Sequence, residues 1–203
     1  MPHKGDMMTV REIVETLGLA ADEDAVRKMA EYNAMVIAMS RKMNLTGIKD
    51  AEESLVKNIY DSLTVYEEKY FPENGRILDL GTGAGFPGIP LAILRPDMQV
   101  VLVDSVLKKL VFIENAAAKL GIKNIKILHI RAEEGGRRRK TRETFDMVTA
   151  RAVKMLPVIA EWGIPFVTGE RRTILYFRKT APSPKTYPRK VGVAEKKPII
   201  GEA

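Results

Sequence analysis

The stretch that most constrains the fold is Arg76 to Gly88, RILDLGTGAGFPG. A short apolar run, Ile77-Leu78-Asp79-Leu80, stops at four glycines, Gly81, Gly83, Gly85 and Gly88, and an amphipathic segment continues through Leu94. This order predicts a strand, a glycine turn and the start of a helix. Glycine tolerates positive φ and lets backbone N–H groups approach a ligand, so such a cluster predicts a pocket for a nucleotide-type cofactor. The spacing Gly83-x-Gly85-x-x-Gly88 is shared by proteins that bind NAD, FAD or S-adenosylmethionine (SAM), and a purely structural tight turn satisfies it too.

Downstream, strand and helix alternate. Gln99 to Val103 reads as a buried strand closed by Asp104-Ser105, Lys108 to Leu120 as a helix ended by Gly121, and Ile125 to Ile130 as the next strand. Arg131-Ala132-Glu133-Glu134 reads as a polar loop and Gly135 to Glu143, GGRRRKTRE, as a mobile basic segment. Phe145 to Thr149 is a fourth strand, a helix spans about Met155 to Trp162, and Thr173 to Arg178 is one more strand. The pattern predicts an α/β fold with a mostly parallel sheet and helices on both faces. Ligands in such sheets sit at the carboxyl ends of the strands, where Asp79, Asp104, Ala132-Glu133 and Arg151 fall.

The first third reads as helical. Met7 to Leu19 places Val10, Ile13, Val14 and Leu17 on one face; a longer helix from Asp22 to about Met43 places Val26, Met29, Ala30, Asn33, Ile37 and Met39 near one stripe. Met29, Met35, Met39 and Met43 recur at helical spacing, which favours core filling over a binding surface. A further helix from about Ala51 to Tyr66 groups Leu55, Ile59 and Leu63. The domain reading is therefore a helical extension over 1–75, a cofactor-binding core over 76–180 and a basic, proline-containing tail over 181–203.

Charge divides along the same line. Residues 1–75 carry 9 Lys and Arg against 14 Asp and Glu, and residues 76–203 carry 24 against 12. A basic half that also holds the pocket suggests a polyanionic partner, the alternative being a solvated basic surface. Arg137, Arg138 and Arg139, with Arg189 and Lys190 in the tail, are the candidate RNA contacts. The absence of cysteine excludes disulfides and thiolate metal sites, and two isolated histidines, His3 and His129, speak against a metal centre. No apolar run approaches the ~20 residues of a membrane span, and the N-terminus lacks a signal-peptide apolar stretch. The expectation is a cytoplasmic protein, taken by default as a monomer.

Two acids narrow the cofactor. Asp104, about 20 residues beyond the glycines, is placed for ribose hydroxyls, which NAD and SAM share. Asp79 precedes the first glycine by two residues; a carboxylate there suits the cationic methionine portion of SAM and repels a pyrophosphate. SAM is favoured over NAD on this ground, with Asp79 alternatively serving only to accept hydrogen bonds from the loop. If SAM is the cofactor, methylation of cytosine C5 is excluded, because it needs a cysteine nucleophile. Methylation of the adenine amine goes with an Asn/Asp-Pro-Pro-aromatic loop, and Thr149-Ala150-Arg151-Ala152 stands in that place. Guanine N7 carries a lone pair, so its methylation needs alignment and no proton removal. No catalytic acid or base is therefore expected. Arg151 is the candidate contact with substrate or cofactor, or else pins the loop through a salt bridge.

The combination Asn44-Leu45-Thr46, the run Asp79 to Leu91 with Phe86-Pro87-Gly88, Leu102-Val103-Asp104-Ser105, Arg131-Ala132-Glu133-Glu134 and Ala150-Arg151-Ala152-Val153 resembles the small-subunit (16S) ribosomal RNA guanine-N7 methyltransferase family, also called glucose-inhibited division protein B. Tyr187-Pro188-Arg189-Lys190 with Lys196-Lys197-Pro198 is similar to the C-terminus of many members. The resemblance implies a class I SAM-dependent methyltransferase, Rossmann-like, acting on small-subunit rRNA or the 30S particle. It places the cofactor at Gly81, Phe86, Asp104, Ala132-Glu133 and Arg151. With the residues that flank them in the matched motifs, the expected cofactor contacts are Asp79, Gly81, Gly83, Phe86, Asp104, Ser105, Val106, Ala132, Glu133 and Arg151.

The chain departs from that pattern after Val167. It passes directly through Thr168-Gly169-Glu170-Arg171-Arg172 to the strand at Thr173, where the family has a further turn, strand and helix. A seven-stranded sheet is the norm for the class, so either the sheet is truncated by about two strands or a segment is omitted at this point. The alternatives are a non-catalytic SAM- and RNA-binding module and a methyltransferase acting on something other than RNA.

Overall fold

The computed structural model describes residues 8–43, 45–48, 50–151, 156–168 and 173–174. The tail over 181–203, with Arg189 and Lys190, and the stretch 169–172 lie outside the described residues, as does Asn44.

Among the described residues, three α-helical segments and a 3-10 turn (Glu68–Tyr70) precede the sheet. In α1 (Val10–Thr16), the Thr9 side chain accepts from Glu12 N while Glu12 reaches back to the Thr9 backbone, a reciprocal cap that fixes the start. Asp22 caps α2 (Glu23–Ser40) by accepting from Ala25 N at 2.7 Å. Asp50 likewise opens α3 (Ala51–Ser54). This helix runs without a break into a π turn (Leu55–Tyr60) and then α4 (Asp61–Leu63). The helix expected to reach Tyr66 thus ends at Leu63 and is under-wound in its middle.

Five strands form one parallel sheet: β1 (Arg76–Leu80), β2 (Gln99–Asp104), β3 (Ile125–His129), β4 (Met147–Thr149) and β5 (Thr173–Ile174), in the order β3-β2-β1-β4-β5. The connections carry α5 (Gly88–Leu94), α6 (Leu107–Leu120), α7 (Ala132–Gly135) and α8 (Leu156–Gly163). Ile77 to Leu80 and Val100 to Asp104 are buried throughout, as parallel strands covered on both faces must be. Alternation sorts their side chains: Leu78, Leu80, Val101 and Val103 pack with Ile159 and Phe166, whereas Val100 and Leu102 pack with Ile89, Leu110 and Ile113 on the other face.

The helical extension joins this second face. Val10, Ile13, Met29, Tyr32 and Val36 belong to the same buried cluster as Ile89, Leu102 and Ile113. Residues 8–75 therefore cover the sheet and share its core. This explains two departures from expectation. α5 is buried from Gly88 to Leu94, not amphipathic, because it lies between sheet and extension. The buried stripe of α2 is Ala25, Met29, Tyr32, Asn33, Val36 and Ser40, while Ala30 faces solvent. Met29 is fully buried and Met35, Met39 and Met43 pack partly buried against the core, so the methionines do fill it.

Two further differences concern the basic half. The expected polar loop at 131–134 is the short helix α7. Phe145 makes only an isolated bridge to Val167, leaving β4 shorter than expected. The segment after α7 is a series of turns in which Thr141 Oγ1 donates to Gly135 O at 2.6 Å. Among the described residues, no helix is long and apolar enough to cross a membrane and no acidic or histidine cluster has metal-site geometry.

Candidate cofactor and substrate site

The strand order reverses between β1 and β4, and a crevice opens at the carboxyl ends of the strands on either side of that point. A cavity of about 500 Å³ fills it, a size that suits a nucleoside-sized ligand. Its walls come from the ends of the first four strands: Leu80 to Ala84 and Phe86 at β1, Val103 to Ser105 at β2, Ile130 to Glu133 after β3, and Arg151 after β4. Trp162 of α8 closes one side, and Leu45, Thr46 and Asn58 of the extension close another.

The glycine turn is built by specific contacts. Gly81, Gly83 and Gly85 have φ of 69°, 61° and 88°, values that a side chain strongly disfavours. Gly85 also faces the Tyr32 ring: an added Cβ would lie 2.3 Å from the phenolic oxygen. Tyr32, wholly buried, donates to Ala84 O at 2.8 Å and meets the Phe86 ring edge-on at 5.7 Å. Burial pushes its phenol well above the usual range. Thus α2 holds the turn from below. The Phe86-Pro87 bond is cis.

Asp104 organises the opposite wall. Oδ2 accepts from Gly83 N at 2.9 Å and Oδ1 from Val106 N at 2.8 Å, so one carboxylate joins the tips of β1 and β2. It is 8% exposed and lines the cavity, leaving its remaining lone pairs available to hydroxyl donors. Val106 contributes to this arrangement through its N–H and is not in the wall. Ser105, Ala132 and Glu133 line the cavity, as do Gly81, Gly83 and Phe86.

Asp79 does not face the cavity. It is 0% exposed beneath the turn, where Oδ2 accepts from Thr82 Oγ1 at 2.5 Å and Gly88 N at 3.0 Å, and Oδ1 from Thr149 Oγ1 at 3.3 Å. Burial pushes its carboxyl up to about 6, against the opposing pull of Thr82, Gly88, Arg151 and Thr149. Its place is that of a brace for the loop, and the direct contact with the methionine portion of a cofactor expected from the sequence is not geometrically available.

Arg151 lies at the cavity edge with its guanidinium 5.4 Å from the Phe86 ring centre. Two of its nitrogens donate to the extension: Nη1 to Lys57 O and Nη2 to Asn58 Oδ1 at 3.1 Å. Burial lowers its pKa, with Asp79 and Asp61 acting in the other direction. Arg151 therefore lines the cavity and is tied to the extension by hydrogen bonds to two neutral oxygens, where the sequence offered a salt bridge as the pin.

Sequence reasoning missed Tyr32, Thr82, Asn58, Lys109, Arg131 and Trp162. For Asn58 a signal was present: Ser54, Asn58 and Ser62 recur every four residues beside Leu55, Ile59 and Leu63, a polar stripe on a helix that has an apolar one. All three are buried, which requires internal partners. Trp162 carried no such signal. Arg137, Arg138 and Arg139 lie just beyond α7 and outside the cavity wall.

The parallel sheet with its order reversal, the glycine turn and the acid at the tip of β2 define a Rossmann-like α/β fold with a crevice for a nucleoside-type cofactor, and the family match makes it a class I methyltransferase dependent on SAM. The family described as rRNA small subunit methyltransferase G matches residues 25–183. A protein named ribosomal RNA small subunit methyltransferase G from Clostridium perfringens is 31% identical over 232 residues, covering 94% of this chain and 97% of the relative. Its namesake from Alkaliphilus metalliredigens is 38% identical over 160 residues, covering 79% and 67%. The chain belongs to the rRNA small subunit methyltransferase G family. Among solved structures it is similar to a SAM-dependent methyltransferase from Aquifex aeolicus, with a TM-score of 0.46 and 17% identity over 65% of this chain and 67% of that one. The 232-residue alignment exceeds the 203 residues of this chain, so that relative carries residues with no counterpart here.

Proposed function

We propose that the protein transfers a methyl group from SAM to N7 of a guanine in small-subunit (16S) rRNA, acting as a cytoplasmic monomer on the RNA or the 30S particle. The observation that supports this most directly is the cavity at the switch point, joined on one rim to a segment that carries Arg137, Arg138 and Arg139. When bound, SAM would supply an electrophilic methyl on its sulfonium, with the S–C bond breaking as the N7–C bond forms.

The remaining work falls to the chain. Gly81 and Gly83 allow close backbone approach, Asp104 accepts from ribose hydroxyls, Ala132-Glu133 and Ser105 flank the base of the cofactor, and Phe86 forms an apolar wall. Guanine N7 needs no deprotonation, so alignment is the main requirement. Arg151, a fixed donor, suits the acceptor edge of a guanine. Arg137, Arg138 and Arg139, with Arg189 and Lys190 of the tail, would neutralise backbone phosphates.

The test is transfer of a labelled methyl group from SAM to 30S particles or 16S rRNA, followed by mapping of the modified base. Labelled N7-methylguanine is expected, and Asp104→Ala is expected to weaken SAM binding at least tenfold and to reduce transfer accordingly. The residues that the C. perfringens relative has and this chain lacks favour one alternative, SAM and RNA binding without catalysis. Tight SAM binding without transfer would select it. Unchanged SAM affinity in Asp104→Ala would remove the pocket assignment.

A further inference from the structure

A chain of buried polar groups runs from the extension to the cavity. Asn33 of α2, Ser54 of α3 and Asn58 of the π turn are 3%, 0% and 1% exposed. Ser54 Oγ donates to Asn33 Oδ1 at 2.7 Å, Asn58 Nδ2 donates to Ser54 Oγ at 2.8 Å, and Arg151 Nη2 donates to Asn58 Oδ1 at 3.1 Å. Its polarity is fixed from the cavity end. A guanidinium offers donors only, so Asn58 must turn its oxygen to Arg151 and its amide to Ser54. Ser54 is then free to give its single proton to Asn33.

The π turn supplies the second acceptor. Asp61 N–H bonds to Val56 O, five residues back, and so bypasses Lys57 O, its partner in a regular α-helix. Lys57 O accepts from Arg151 Nη1 instead. One extra residue in the helix thus exposes a carbonyl toward the site and turns Asn58 into the cavity wall. The two acceptors hold the guanidinium over the Phe86 ring.

We infer that Asn58 is a positioning residue for methyl transfer, which acts by holding Arg151 in its cavity-edge orientation, with Ser54 and Asn33 fixing Asn58 in turn. The helical extension is in this view part of the site. The inference rests on the proposed function for its activity readout only.

Four variants, Asn58→Ala, Asn58→Asp, Arg151→Ala and the Asn58→Ala/Arg151→Ala double, decide it through kcat/KM for methyl transfer, alongside thermal melting. Displacing a group that aligns reactants costs up to about a hundredfold, so Asn58→Ala is expected to lose roughly ten- to a hundredfold in kcat/KM. Asn58→Asp keeps an oxygen for the guanidinium and is expected to retain more activity than Asn58→Ala. The double variant is expected to be no slower than Arg151→Ala alone, because the two act as one unit. Ser54→Ala, one step further from the guanidinium, gives the same comparison with a smaller loss if Asn58→Ala fails to fold.

An activity-independent arm follows the Arg151 side-chain Nε by NMR relaxation, with its order parameter expected to fall in Asn58→Ala and to persist in Asn58→Asp. Multiplicative losses in the double variant, or an equally ordered Arg151 in wild type and Asn58→Ala, would overturn the inference. A wild-type protein that transfers no methyl would remove the functional reading, and the relaxation arm would still decide whether Asn58 holds Arg151 in place.

Discussion

Asp79 keeps a carboxyl where water does not reach, and three donors only partly offset its desolvation. Its carboxyl stands at about 6 in the fold against an ordinary 3.8. A raised acid favours the folded state when protonated, so this contribution is complete below about pH 4 and is lost as pH rises through about 6. At neutral pH the ionised group costs on the order of 3 kcal/mol relative to an unshifted carboxyl. Asp79→Asn keeps an oxygen for Thr82 and Gly88 and can donate its amide to Thr149. It is expected to be more stable than the wild type at pH 7 by up to that amount, with the gap closing toward pH 4. Urea unfolding at pH 4, 5, 6 and 7 measures this, and identical pH slopes for the two proteins would refute it. The sequence made Asp79 visible because it sits beside the glycines. Its direction was not visible, since a residue in a strand buried on both faces points to the core whichever way it alternates.

At the scale of elements, the glycine turn depends on a helix far from it in sequence. Tyr32 Oη bonds Ala84 O from α2, and its ring fills the space that a side chain at Gly85 would take. Tyr32→Phe leaves that buried carbonyl unpaired and is expected to cost about 1 to 3 kcal/mol of stability. It is also expected to weaken SAM binding several-fold by loosening the turn. Calorimetric unfolding and SAM titration check the two, and unchanged values in both would make the hydrogen bond incidental. The strands, the turn and α6 with its glycine end were legible because each has a local signal: an apolar run, a glycine cluster, a left-handed Gly121. The burial of α5, the face of α2 and the π turn were not, because they are set by what packs against them. Ser54, Asn58 and Ser62 show the difference: their spacing was plain, and only the fold explains why polar groups should be buried there.

Across the whole molecule, charge and cavity are arranged on one side. Residues 76–203 hold 24 Lys and Arg against 12 Asp and Glu, and the 137–142 turns that carry much of this excess follow directly on α7, whose first two residues line the cavity. Replacing Arg137, Arg138 and Arg139 by alanine is expected to weaken RNA binding and to flatten its log–log salt dependence by as much as roughly 2, with SAM affinity unchanged. Filter binding at several salt concentrations measures it; an unaltered salt slope would make the segment a solvated surface. Family membership was legible from short motifs because those motifs contribute many of the residues of the cavity wall. The extension's part in that wall was not legible: Leu45-Thr46 stood out only as part of a family motif, and the sequence placed no residue before Asp79 in the site.

The cavity draws its surface from Leu45 through to Trp162, in pieces contributed by both the helical extension and the sheet. Occupancy is therefore linked thermodynamically to the folding of extension and sheet together and not to one of them alone. At a ligand concentration a hundred times its dissociation constant, that linkage adds about 2.7 kcal/mol to the unfolding free energy. The cell's cofactor level thereby becomes a determinant of how long each copy of this protein escapes unfolding and proteolysis.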